Sequence, residues 1–104
     1  MKVRISEHNL RYRLSEEDLN VLAVSGQVRL VLALPNTTGI TFEILLSSDE
    51  QQGLHFAGGV FQLVLSDVKI KEWISAEENG YYLTLAADEK PVSIAIEKDL
   101  PCKH

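Results

Sequence analysis

The chain has 104 residues, 45% hydrophobic and 24% charged, a composition that predicts one globular domain spanning 1–104 and excludes wholesale disorder. Its formal net charge of −5 at pH 7 argues against a nucleic-acid partner, because surfaces that bind a phosphate backbone are basic. No apolar run approaches the roughly 18 residues of a membrane span, and the opening residues lack the apolar segment of a signal peptide, so we expect a cytoplasmic protein without a membrane partner.

The first part of the chain predicts strands followed by a helix. Segments 2–6 and 10–14 alternate apolar and polar residues with period two, which indicates two short strands or one strand broken by a bulge. Ser15 fits the N-cap of a helix, and Asp18 fits the third helical position of a capping box. Gly26 fits the position just after the end of that helix.

The middle of the chain predicts two hairpins. Segments 28–34 and 40–46 alternate on either side of a stretch rich in turn residues. A Gly-Gly pair then separates two further alternating segments, and such a pair suits the two-residue turns that hairpins prefer. That turn places Phe56 opposite Phe61 on the core side. A one-residue slip would reverse this sorting, so the register is strongly specified.

The last part of the chain predicts a second helix and two strands. Ser66 or Asp67 caps the helix, and segments 81–86 and 91–97 alternate again. Hairpin-length links favour antiparallel pairing, and no internal repeat is evident. We therefore predict an α+β fold with a single curved or barrel-like, mainly antiparallel sheet of seven or eight strands and two helices.

Both ends of the chain resemble a family of small uncharacterised bacterial proteins, a domain of unknown function. The similar opening consists of Met1, Lys2, Arg4, Ile5, Leu10, Arg11, Arg13 and Leu14, followed by the acidic helix start Glu16, Glu17 and Asp18. The similar closing segment is Glu97, Lys98, Asp99 and Cys102, and the Glu72-Trp73 pair is also similar. The resemblance implies the overall layout of the fold and no established activity.

The basic residues at the start of the chain suggest one candidate site. Residues 1–14 carry Lys2, Arg4, Arg11 and Arg13 against the single acidic residue Glu7. On one interpretation these cations pair with carboxylates on neighbouring strands, and on the other they form an anion site.

A polar segment after the last predicted strand extends this candidate. By alternation Glu97 points to the face of Ser93 and Ala95, whose small side chains leave room for a ligand. If the first and last strands pair, the candidate ligand-binding set is Arg4, Arg11, Arg13, Glu97, Lys98 and Asp99. The alternatives are a structural ion-pair network and general acid–base catalysis by Glu97.

The lone cysteine lies in a second candidate site. It cannot form an internal disulfide, but Cys102 and His104 are both residues that bind zinc. A metal site would need further ligands, for which His8 and His55 are candidates. The alternatives are a free thiol beside a mobile end and a nucleophilic Cys102 with His104 as its base.

Sequence motifs for cofactor binding and catalysis are not present. The chain has no GxGxxG, Walker, HExxH, CxxC or GxSxG pattern, so we expect no cofactor. The sequence therefore favours a non-catalytic binding or accessory module for an unknown protein or a small anionic ligand. A homodimer would use a sheet edge or the region of Trp73 and Tyr81. The alternative is an enzyme or anion-binding protein whose site joins the basic N-terminal strands to the Glu-Lys-Asp segment.

Overall fold

The computed structural model describes residues 1–49, 51–85 and 90–100. Their elements are β1 Lys2–Ser6, β2 Asn9–Leu14, α1 Glu16–Ser25, β3 Gln27–Leu32, β4 Ile40–Ser47, β5 Gly53–Ala57, β6 Val60–Ser66, α2 Asp67–Ser75, β7 Gly80–Leu85 and β8 Val92–Lys98. The strands form two four-stranded sheets, which we call sheet A (β1-β2-β8-β7) and sheet B (β3-β4-β6-β5).

The α+β class with two helices is confirmed, but in the described residues the strands form two open, mixed sheets in place of the predicted single curved or barrel-like, mainly antiparallel sheet. Four antiparallel pairs form, β1 with β2, β3 with β4, β5 with β6 and β7 with β8, and the second and third of these are the two predicted hairpins. Each sheet joins two of these pairs through a central parallel pair, β2 with β8 or β4 with β6. The physical reason is that each helix carries the chain from one sheet to the other. Alternation indicates which face of a strand a residue lies on, but it does not indicate which other strand that strand pairs with. The crossing from one sheet to the other could therefore not be predicted from the alternation.

The two halves of the chain share one order of elements, ββαββ, although the sequence shows no repeat. Strands β1 and β2 enter sheet A before α1 leads to β3 and β4 in sheet B. Strands β5 and β6 enter sheet B before α2 leads to β7 and β8 in sheet A. Each half therefore contributes one hairpin to each sheet, and the position of every strand in sheet A has a counterpart in sheet B.

Local signals explain where the helices begin and end. The Ser15 hydroxyl accepts a hydrogen bond from the Asp18 N–H at 3.1 Å, and the Asp18 carboxylate accepts one from the Ser15 N–H at 2.9 Å, which confirms the capping box. Gly26 closes α1 with a φ of 76°. Ser66 caps α2 by accepting from the Lys69 N–H. Neither helix in the described part of the chain is long and apolar enough to cross a membrane.

The β5–β6 hairpin has the predicted register. Its two turn glycines both have positive φ, as a primed turn requires. Phe56 lies opposite Phe61, and their rings stack with centroids 4.3 Å apart. Phe61 in turn stacks on Phe42. Phe56 nevertheless remains 60% exposed, because β5 is the edge strand of sheet B.

One hydrophobic core joins both sheets and both helices. The buried residues of the core cluster are Leu10, Tyr12, Leu14, Leu19, Leu22, Val28, Ile44, Leu63, Leu65, Ile70, Trp73, Ile94 and Ile96. Each sheet contributes alternate residues to this cluster, so the residues between them lie on an outer face. Burial raises the pKa of Tyr12 to about 12, which keeps its phenol neutral within the core. The outer faces of the sheets are where polar side chains gather.

The capping box predicts a dependence of stability on pH. Burial raises the pKa of Asp18, but hydrogen bonds from the N-terminal ammonium group and from Ser15 lower it by more than burial raises it. The pKa of Asp18 therefore lies below its ordinary value. As pH falls, the unfolded chain therefore binds a proton at Asp18 before the folded protein does. The contribution of the Asp18 carboxylate to the free energy of unfolding is complete above the ordinary Asp pKa. It is lost as pH falls through the lower pKa of the folded protein. In urea titrations followed by Trp73 fluorescence, Asp18→Asn should lose less stability than the parent between pH 5 and 3. Equal losses would contradict this assignment.

Candidate ligand-binding site

Parallel pairing of β2 with β8 brings the start of the chain beside its C-terminal segment. The register places Arg11 next to Ala95 and Arg13 next to Glu97. These side chains lie on the outer face of sheet A, because their neighbours along each strand are buried in the core. The sequence analysis required the first and last strands to pair, and the structure meets this requirement through β2, while β1 lies beside β8 only across β2.

Three ion pairs connect the described residues of these two segments. The Arg11 Nε lies 3.4 Å from the Glu97 carboxylate. The Asp99 carboxylate pairs with the Arg13 guanidinium group at 3.2 Å and with the Lys2 ammonium group at 3.3 Å. The three basic side chains are about half exposed or more, so each pair contributes at most about 1 kcal/mol to stability. Stability alone is a weak reason for this concentration of charge.

Arg4 leaves this network with excess positive charge. It stands directly opposite Arg11 in the β1–β2 pair, and like charges in that position repel. Within the part of the chain that the structure describes, Arg4 forms no ion pair. The face therefore joins four cations, Lys2, Arg4, Arg11 and Arg13, to the two carboxylates Glu97 and Asp99. The local charge of this face is therefore positive although the protein as a whole is acidic.

A hollow of about 540 Å³ lies on this face. Its floor includes Ser93 and Ala95, and Arg4 and Arg11 line it together with Tyr82. Its remaining polar residues are Ser6, Asn9 and Thr84. The volume falls in the range of small-molecule sites. Reasoning from sequence missed Tyr82, Ser6, Asn9 and Thr84. Alternation placed Ser6, Tyr82 and Thr84 on one face of their strands and left Asn9 between two predicted strands, but it could not show that those strands are neighbours.

Lys98 does not join this site. It follows Glu97 on β8 and so points to the other face of sheet A, where it is only 8% exposed. Its Nζ donates a hydrogen bond to the Ala76 carbonyl at 2.6 Å and lies 5.1 Å from the centroid of the Trp73 ring. Trp73 is buried beside Tyr81, so this region packs the core and does not offer an aromatic surface.

The proposed metal ligands Cys102 and His104 lie outside the described residues. The two other histidines occupy different sheets, His8 in the β1–β2 turn and His55 on β5. Residues 1–49, 51–85 and 90–100 contain no group of three or more His, Cys, Asp or Glu side chains placed to hold a metal ion. The metal site stays a prediction.

Comparison with known proteins places the chain in a family. A family model described as "Family of unknown function (DUF7009)" matches residues 1–104. The chain belongs to DUF7009. This match confirms the predicted resemblance to a domain of unknown function. Searches of curated proteins and of solved structures each found no match. The function of this DUF7009 member must therefore be argued from its own site.

The repulsion between Arg4 and Arg11 predicts that the outer face of sheet A is not optimised for stability. Replacing Arg4 with Glu removes the repulsion from Arg11 and creates an opposite-charge pair, so the free energy of unfolding should rise by about 0.5–1 kcal/mol in low-salt urea titrations. The gain should shrink in 0.5 M NaCl because salt screens exposed charges.

Arg29→Glu is the matched control on sheet B. Arg29 pairs with Glu43, so the same substitution there should lower the free energy of unfolding. A loss of stability in Arg4→Glu would mean that Arg4 has a stabilising role in the folded protein.

Proposed function

We propose that this protein is a non-catalytic binding module that holds a small anionic ligand on the outer face of sheet A. The observation that carries the proposal is the opposition of Arg4 and Arg11 beside a hollow, where Arg11 pairs with Glu97 and no described residue forms an ion pair with Arg4. An anion that contacts both guanidinium groups would relieve their repulsion. Guanidinium groups suit this role because they donate two parallel hydrogen bonds to one carboxylate or phosphate.

Binding accounts for the arrangement better than catalysis does. The enzyme alternative would use Glu97 as a general acid or base. That carboxylate is already engaged by Arg11 on one side and by the Tyr82 hydroxyl, 3.5 Å away, on the other. The groups that remain open to the hollow are guanidinium, hydroxyl and amide groups, which orient a ligand.

The setting proposed for this activity is the bacterial cytoplasm. The single cysteine supports it, because it gives no sign of a disulfide framework for an oxidising compartment. The overall charge of −5 supports a small anion as the partner in place of a nucleic acid, since basic residues outnumber carboxylates around this hollow while the chain as a whole is acidic.

Substitution of the two arginines tests the proposal. Titration of the parent protein with sodium phosphate at constant ionic strength should raise its melting temperature and give a saturable calorimetric signal. Arg4→Ala and Arg11→Ala should each weaken binding by roughly 10-fold or more, because each removes a charge-assisted hydrogen bond.

Arg29→Ala is the control for this experiment, because it removes the same charge from sheet B. It should leave the phosphate affinity of the parent unchanged. Equal weakening by all three variants would show that phosphate responds to net charge only and would reject a site at Arg4 and Arg11.

An exposed edge strand supports a second role in self-association. Strand β3 is an edge of sheet B, and Val31 on it is 62% exposed. Leu32 and Leu34 next to it are exposed as well. Unpaired edge strands with apolar side chains add to strands of another chain. The homodimer we propose would pair β3 of one protomer with β3 of its partner.

Light scattering tests this homodimer. Val31→Lys places a charge on the edge and should shift the species from dimer to monomer at micromolar concentration. Val24→Lys, on the exposed surface of α1, adds the same charge away from the edge and should leave the dimer intact. A parent protein that is monomeric throughout this range would reject the dimer without affecting the anion site.

A further inference from the structure

The repeated order of elements allows the two outer faces to be compared position by position. The strand registers define one row of four side chains across the middle of each sheet. In sheet A this row is Arg4, Arg11, Ala95 and Tyr82, and in sheet B it is His55, Gln62, Glu43 and Arg29. The order of strands in the two rows is equivalent, so Ala95 is the counterpart of Glu43.

In sheet B the middle of this row is a carboxylate held by its neighbours. Glu43 accepts a hydrogen bond from the Gln62 amide at 2.7 Å on one side. It accepts one from the Arg29 Nε on the other. Glu43 is only 2% exposed although it lies on an outer face. The outer face of sheet B is therefore built around a central, fully partnered carboxylate.

In sheet A, side chains with hydrogen-bond donors flank the equivalent position, but that position carries no carboxylate. Arg11 takes the place of Gln62, Tyr82 takes the place of Arg29, and the hollow lies over Ala95. Glu97 lies one row away, where its carboxylate is 3.4 Å from the Arg11 Nε and 3.5 Å from the Tyr82 hydroxyl. A guanidinium group has five N–H donors, so Arg11 keeps donors for a second acceptor.

The next row distinguishes the two faces further. In sheet A it consists of Ser6, Asn9, Ser93 and Thr84, and in sheet B of Ala57, Val60, Thr41 and Val31. All four residues of the sheet A row line the hollow, and each carries a hydroxyl or amide group. A ligand that reaches this row meets hydrogen-bonding groups where sheet B offers mostly apolar ones.

We infer that the ligand is a hydroxylated carboxylate whose carboxylate lies over Ala95, in the place that Glu43 fills in sheet B. This inference rests on the proposed function and names its ligand class. Arg4 and Arg11 bind the carboxylate, and the row of Ser6, Asn9, Ser93 and Thr84 receives the hydroxyl groups. An acetate-like group fits the position because sheet B already holds one there, on a glutamate side chain.

The decisive variant supplies the carboxylate from the chain itself. Ala95→Glu should raise the melting temperature by about 3–5 °C without ligand, because the new side chain pairs with Arg4 and Arg11. It should also abolish calorimetric binding of tartrate. Ala95→Gln is the control of equal size without charge, and it should give no such rise. A melting temperature of Ala95→Glu equal to or below that of Ala95→Gln would overturn the inference.

A ligand series on the parent protein gives an independent test. At constant ionic strength, tartrate should bind roughly 10-fold more tightly than succinate, which lacks its hydroxyl groups, and more tightly than inorganic phosphate. Phosphate binding tighter than tartrate, still lost in Arg4→Ala, would overturn the carboxylate inference and leave the proposed anion site standing. Failure of all three anions to bind in an Arg4-dependent way would overturn both.

Discussion

The parallel pairing of β2 with β8 is the constraint on which the rest of the structure depends. Backbone hydrogen bonds run along it, from the Ser93 N–H to the His8 carbonyl at 2.8 Å and from the Asp99 N–H to the Leu14 carbonyl at 2.7 Å. This pairing unites hairpins from the two halves of the chain into sheet A. It also fixes the basic strands beside the small residues and carboxylates of the last strand, so the fold and the candidate site have one structural cause.

Two polar faces built on equivalent scaffolds have different charge balances. On sheet B, Glu43 is matched by Arg29, and the face is closed by its own hydrogen bonds. On sheet A, cross-strand neighbours of like charge are kept together, at Arg4 with Arg11 and at Lys2 with Arg13. Self-repulsion of this kind lowers stability, and it persists more readily where an external anion relieves it.

Particular residues show how far the sequence could predict this protein. The glycine-pair turn set the register of Phe56 with Phe61, and Ser15 with Asp18 set the start of α1, because these signals act within a few residues. The division into two sheets and the parallel pairs were not predicted, because alternation does not indicate how strands on either side of a helix pair. Within the site, Arg11 and Glu97 met as the sequence suggested.

The contribution of Tyr82 depended on strand neighbours that only the structure reveals. Alternation had already placed Ser93 on the same face as Glu97.

The interlaced arrangement of the strands has a consequence for synthesis on the ribosome. Strand β8 lies between β2 and β7 in sheet A, yet it follows every other strand along the chain. The hairpin of β1 and β2, made first, lacks its neighbour until nearly all of the domain has emerged, and an isolated two-stranded hairpin is marginal in water. Sheet B can therefore assemble as soon as β6 has emerged, whereas sheet A cannot be completed until β8 has been made.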